Sequence, residues 1–206
     1  MSNLKLQDNT FLRLTGIYGA IAPVIAFAFI FAAIASYPQF SWTSNALSDL
    51  GVVVGIAAGV FNSGLVICGV ISLTFALGLY LFMNKSWLGR AGVILFAFAC
   101  LALVAIGMFP ESVSPTHYWV SVAFFVALPL SLLIFVGGFW REHQSLMAVF
   151  TLFVAVLAAV PWVLLFEFHY VSGVAIPEVI SGLAGALWTV VLGIKMYKAA
   201  AQSKVA

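Results

Sequence analysis

Charge is the scarcest commodity in this chain. Only 7% of its 206 residues are Asp, Glu, Lys or Arg, against about 25% in a soluble globular domain. Such a chain cannot cover itself with water-compatible surface, which excludes a soluble fold. Eight Lys and Arg set against six Asp and Glu leave a formal net charge of +2. That provides no basic patch and excludes a nucleic-acid partner. Cysteine is nearly as scarce. Cys68 and Cys100 both fall inside apolar runs, where a thiol is a small packing residue, and neither fits a metal-ligand spacing. No G-x-S-x-G elbow, Walker loop, G-x-G-x-x-G or H-E-x-x-H is present. No cofactor is expected.

What is present is apolar. Hydrophobic residues make up 65% of the chain and the mean hydropathy is +1.20. Six runs stand out, at about 14–37, 55–83, 90–109, 119–140, 146–166 and 177–198. Crossing a bilayer takes roughly 20 apolar residues as a helix. Runs of this length without period-two alternation are helices rather than barrel strands, because backbone in lipid must satisfy itself. Short connections make neighbouring helices antiparallel. The expected fold is therefore all-α: an integral membrane, six-helix transmembrane bundle forming a single domain over 1–206. Ala33-Ile34-Ala35 mimics a signal-peptidase site, but the preceding run exceeds the ~7–15-residue core of a signal peptide. It reads as a retained first helix.

The few charges are sorted. Lys5, Arg13, Lys85, Arg90, Arg141, Lys195, Lys198 and Lys204 all fall on one side of the runs, and the other three loops contain no Lys or Arg. By the positive-inside rule both termini are cytoplasmic, in a multi-pass protein of the cell membrane. Pro23, Pro129 and Pro161 lie within spans, where each removes an intrahelical hydrogen bond. Gly55-x-x-x-Gly59 and Ser181-x-x-x-Gly185 are small-residue spacings that permit close helix approach. Oligomeric state is not legible.

The remaining polarity gathers on the opposite, outer side. The longest polar interruption reads W-T-S-N-A-L-S-D-L-G over Trp42–Gly51, with Asp49 in a neighbourhood that lacks a basic residue. Glu111, Glu167 and Glu178 join it there, with His117 and His169. Uncompensated acids raise one another's pKa, which suits proton exchange, general acid/base work or a small cation. Asp49, His117 and Glu178 form the candidate catalytic or ion-binding trio. Asn45, Ser48, Asn62 and Glu111 are the candidate binding residues. Each has a plainer reading: Asp49 as a cap of a turn or of the start of helix two, Glu111 as a solvated loop acid, His117 as an interfacial histidine. Glu178 could serve the dipole of helix six, and Asn62 could be interhelical glue. Glu167 and His169 lie among aromatics and read as part of an interface belt. Metal ligation by histidine and carboxylate stays open. Pro110-Glu111 and Pro177-Glu178 both open a P-E-x-x-S pattern, a faint internal echo.

A-L-S-D-L-G, then F-N-S-G-L in helix two, F-P-E followed by His117, and a later P-E together resemble the prokaryotic six-helix membrane proteins grouped as domain of unknown function 998. The resemblance runs from helix one to helix six. It extends distantly to the DRAM and Sfk-type membrane proteins, whose P-E-x-x-x-F pattern is not met here, since Ser-Val-Ser follows Glu111. It implies that Asn45, Ser48, Asp49, Gly51, Asn62, Glu111, His117 and Glu178 are signature positions, and that the role is lipid-related.

Three functions compete on this reading. The first is binding or modifying a lipid head group, with membrane lipid as the partner. The second is proton- or ion-coupled transport of a small solute, which needs a polar path to the inner side that the sequence scarcely provides. The third is a non-catalytic interaction or sensing subunit. Haem or redox roles rest only on His117 and His169.

Overall fold

The computed structural model describes residues 2–202, with side chains from residue 9 onward, so Lys204 and the side chains of Lys5 and Asp8 lie outside the described residues. The described residues form six α-helices: α1 Ser2–Ala35, α2 Ile56–Phe82, α3 Trp87–Met108, α4 Thr116–Arg141, α5 Ser145–Phe168 and α6 Ala175–Gln202. Each is long and apolar enough to cross a membrane, and no strand occurs among the described residues. The protein is an all-α, multi-pass membrane protein.

The helices outlast their apolar runs at most ends, because a helix that has left the hydrocarbon still satisfies its own backbone. α3 starts at Trp87 rather than about 90, where the Ser86 hydroxyl accepts from the Gly89 N–H (3.4 Å) as an N-cap. α6 begins at Ala175, two residues before Pro177, and proline is tolerated in a first turn whose N–H groups have no intrahelical partner. α5 is closed by His169, which follows its last helical residue in the left-handed conformation (φ 47°) that ends many helices.

Each helix packs on its sequence neighbours, and α1 packs on α6, so the bundle closes into a ring. Arg13 reaches Tyr197 (2.8 Å), Arg141 lies over Trp87, and Lys195 donates to Gln144 (2.5 Å). These contacts gather the described basic residues and both helical termini at one end, called the basic end below. The bundle interior toward that end is filled. Phe75, Leu79, Met83, Leu132, Phe135, Phe139, Trp188, Leu192 and Met196 are all fully buried. Trp188 is the centre of an aromatic plug, with ring centroids 4.7 Å from Phe135 and 5.5 Å from Phe96, which in turn meets Phe75 edge-on at 6.0 Å. Its indole N–H donates to Thr151 (3.1 Å), so the one polar atom of the plug is satisfied.

Candidate functional site

The acidic end is built from three connections: 36–55, 109–115 and 169–174. The first and third are stitched through main chain. The N–H groups of Ser172 and Gly173 donate to the Thr43 carbonyl at 3.0 and 2.8 Å, and those of Val174 and Ala175 donate to the Asn45 carbonyl at 3.1 and 2.9 Å. The last of these donors, Ala175, opens α6, whose first N–H groups have no intrahelical partner. Gly173 is needed at this seam, because a Cβ there would collide with the Ser44 and Asn45 backbone.

Inside that seam, Asn45 and Asp49 shape a short 3-10 helix, Ser48–Gly51. Asn45 Nδ2 donates to Asp49 Oδ2 (2.6 Å), the Ala46 N–H donates to the same oxygen (3.1 Å), and Asn45 Oδ1 accepts from the Ser41 N–H (2.8 Å). Asp49 therefore does not cap helix two. The N-cap of α2 is Gly55, at φ 110°, and Asp49 instead holds the loop that precedes it. Asn62, one and a half turns into α2, reaches back to donate to the Gly51 carbonyl (2.9 Å). It ties loop to helix, and Gly51 leaves the room, since a Cβ there would stand 2.5 Å from Asn62 Oδ1.

Glu178 sits one turn into α6 and is 8% exposed. Its Oε2 accepts the backbone N–H of Leu47 at 2.6 Å; among the described residues none donates to Oε1. His117 is buried at the start of α4. Its Nδ1 lies 2.7 Å from the Phe109 carbonyl, which can only accept, so Nδ1 carries the proton. Nε2 is then free to accept from Ser121, 3.4 Å away. Glu111 is exposed in the α3–α4 turn, yet its carboxyl is close enough to that of Asp49 for the two to interact. Partial desolvation and then the neighbouring Asp49 carboxyl raise its pKa above the ordinary 4.5, and His117 works the other way.

The seven singled-out residues therefore fall into two groups. Asn45, Asp49 and Glu111 make a rim, which His117 reaches electrostatically. Glu178 and Ser48 line a cavity, to whose wall His117 is linked only through Ser121. Asn62 serves the loop from behind. Glu167 and His169 are exposed at the end of α5. The two P-E-x-x-S segments are unlike in space: Glu111 lies in a turn and Glu178 in a helix, where Ser181 donates to the Ala158 carbonyl (2.6 Å) and accepts from Trp162 (2.9 Å). Among the described residues no three His, Cys, Asp or Glu side chains are grouped to hold a metal ion.

The cavity itself left no trace in the sequence. It has a volume of about 130 Å³ and runs between α1, α2, α3, α4 and α6. Its mouth is Ser48, Ser121 and Glu178, its walls are apolar, and its deep end is Phe96, Ser72 and Thr189. Residues 61 to 72 of α2 border it, a length of roughly 16 Å at 1.5 Å per residue. Cys68 and Cys100 lie in its wall. Below Phe96 the aromatic plug closes it.

Residues 20–195 match the model of a family described as "Protein of unknown function (DUF998)". No curated protein and no solved structure matches the chain.

Proposed function

We propose a role for a chain that belongs to the DUF998 family: it binds a membrane lipid by its head group at the acidic end, which faces the outer leaflet. The observation that carries this reading is Glu178, a buried carboxyl that lines an apolar cavity while one of its oxygens accepts from Leu47. A buried carboxylate with spare acceptor capacity is costly unless something donates to it. The rim acids Asp49 and Glu111 then meet the part of the head group that stays in water. His117, with Nε2 free to accept, and Asp49 are the groups that would move protons if the bound head group reacts.

Solid packing below Phe96 favours binding over transport, because a carrier needs a path that the plug of Phe75, Phe135 and Trp188 fills. The test is native mass spectrometry of the purified protein after exposure to a panel of lipids across about pH 5–8, the range in which crowded carboxylates titrate. One lipid per chain should be retained. Asp49→Asn should keep thermal stability, since an amide oxygen can still accept from Asn45 and Ala46, and should flatten the pH dependence. Retention of no lipid from any class would overturn the reading.

A further inference from the structure

Two short turns meet across a cleft at the basic end. M-N-K-S, Met83–Ser86, joins α2 to α3, and E-H-Q, Glu142–Gln144, joins α4 to α5. The cleft between them has a volume of about 420 Å³, within the roughly 300–1,000 Å³ usual for a small-ligand site. Arg141 lies 5.7 Å over the centre of the Trp87 ring, a cation–π contact that spans the two sides. We infer that this cleft binds the phosphate of an anionic membrane lipid in the leaflet at the basic end. The site is at the opposite end of the bundle from the acidic rim and is independent of the head-group reading above.

Charge selects the ligand. Lys85 and Arg141 both line the cleft, and among the described residues neither is paired with an acid. The acid in the wall, Glu142, is committed elsewhere. Its Oε2 accepts from Gln144 Nε2 (3.0 Å), and Gln144 Oε1 accepts from Lys195 (2.5 Å). Its Oε1 is buried without a partner. Glu142 is thus answered by Lys195 through Gln144, and the other two cations stand uncancelled over one opening. Ser86 adds a buried donor: its oxygen accepts from the Gly89 N–H, and its own proton has no acceptor among the described residues. α5 opens here with no side-chain cap, so the positive end of its dipole adds to the cations. Guanidinium, ammonium and hydroxyl donors around one cleft match the oxygens of a phosphate.

His143 strengthens the assignment. α4 closes with a pair of main-chain bonds, from the Gln144 N–H to the Phe139 carbonyl (2.9 Å) and from the His143 N–H to the Trp140 carbonyl (3.1 Å). The residue at the turn of such a closure is usually glycine, yet here it is His143, at φ 57°. A side chain kept where its backbone is strained points to a use for that side chain, and His143 lines the cleft. A lipid is the source of the phosphate because the cleft stands at head-group level. Trp87 and Trp140, on its two sides, are 65% and 63% exposed, and outward tryptophans at helix ends mark the membrane–water interface. Basic pockets between transmembrane helices at that depth hold anionic head groups.

Photolabelling in maltoside micelles, which contain no phosphate, tests this. The probes are a phosphatidic acid and the matching diacylglycerol, each with one diazirine at the same position near the glycerol. The phosphatidic acid should label the peptides holding Lys85–Trp87 and Arg141–Gln144 at about tenfold or more over the diacylglycerol, a 1.4 kcal/mol preference. Lys85→Gln and Arg141→Gln should each remove most of that labelling. Lys198→Gln, which takes the same charge from an exposed position at the same end, should leave it unchanged. His143→Gly should weaken labelling while the thermal midpoint stays at or above that of the parent, which separates a lost ligand contact from a lost fold. Equal labelling by the two probes, a comparison that needs no variant to fold, overturns the inference. An equal loss in Lys198→Gln overturns it too, since the attraction would then belong to the whole basic end. Inorganic phosphate in large excess should leave most of the label in place, and full displacement by it would overturn the lipid source.

Discussion

Glu178 Oε2 accepts the backbone N–H of Leu47 at 2.6 Å across 131 positions of sequence. One side chain in the first turn of α6 thereby fixes the loop that carries Ser48 and Asp49. Glu178→Gln retains an oxygen that can accept from Leu47, and its thermal midpoint should stay close to that of the parent. Glu178→Ala leaves a buried N–H unpaired, a loss of about 1–3 kcal/mol. Equal midpoints for the two variants in detergent would show that the bond contributes nothing.

Gly173 and Gly59 should respond oppositely to the same substitution. A Cβ on Gly173 meets the backbone of Ser44 and Asn45, which cannot rotate away, while one on Gly59 meets nothing within 4 Å. Gly173→Ala should lower stability by about 1–3 kcal/mol, and Gly59→Ala should leave it unchanged or raise it by up to about 1 kcal/mol. Unfolding of both in parallel, followed by tryptophan fluorescence, checks the contrast.

Glu111 makes the acidic end sensitive to pH. Its pKa is raised in the folded protein, so the folded state holds a proton that the unfolded chain has released. Its contribution to stability is present below the ordinary 4.5 and declines as pH rises through the raised value. Backbone amides of 45–50 should exchange faster as pH is raised through that window, after correction for intrinsic exchange. Glu111→Gln should abolish the acceleration. An unaltered profile in the variant would assign the effect elsewhere.

The basic end should face the cytoplasm. In a background with Cys68 and Cys100 replaced, an impermeant thiol reagent applied to intact cells should label Ser44→Cys and Ser114→Cys and spare Ser145→Cys. All three positions are exposed. Ser86, in the same end as Ser145, is a poor reporter: it is 5% exposed and caps α3, so it would be spared on either side. Labelling of Ser145→Cys from outside inverts the orientation.

The six helices were legible because each apolar run is long enough to span a bilayer, and length is a one-dimensional property. Their ends were less so. α6 starts before Pro177 because helical hydrogen bonding begins only four residues in, so proline marks the first turn without marking its first residue. Whether Asp49 would hold a turn or the start of helix two was not legible, since an acid ahead of a helix gives the same signal whether it bonds forward or back. It bonds back, to Asn45 and Ala46. The partnership of Glu178 with Leu47 was illegible for a deeper reason. The acceptor is a side chain, but the donor is a main-chain N–H, which every residue except proline possesses. The cavity was hidden for the same kind of reason, since the apolar residues that wall it are indistinguishable in sequence from those that face lipid.

The seam between Thr43–Asn45 and Ser172–Ala175 is sewn from main chain alone, apart from the Ser172 hydroxyl. Such a joint is indifferent to spelling and strict about counting. Thr43 and Ser44 are exposed and can be exchanged for most residues without loosening it. Adding or deleting one residue between Thr43 and Leu47 would slide the Leu47 N–H out of reach of Glu178. In homologous chains positions 43 and 44 should therefore drift in letters while the loop keeps its length.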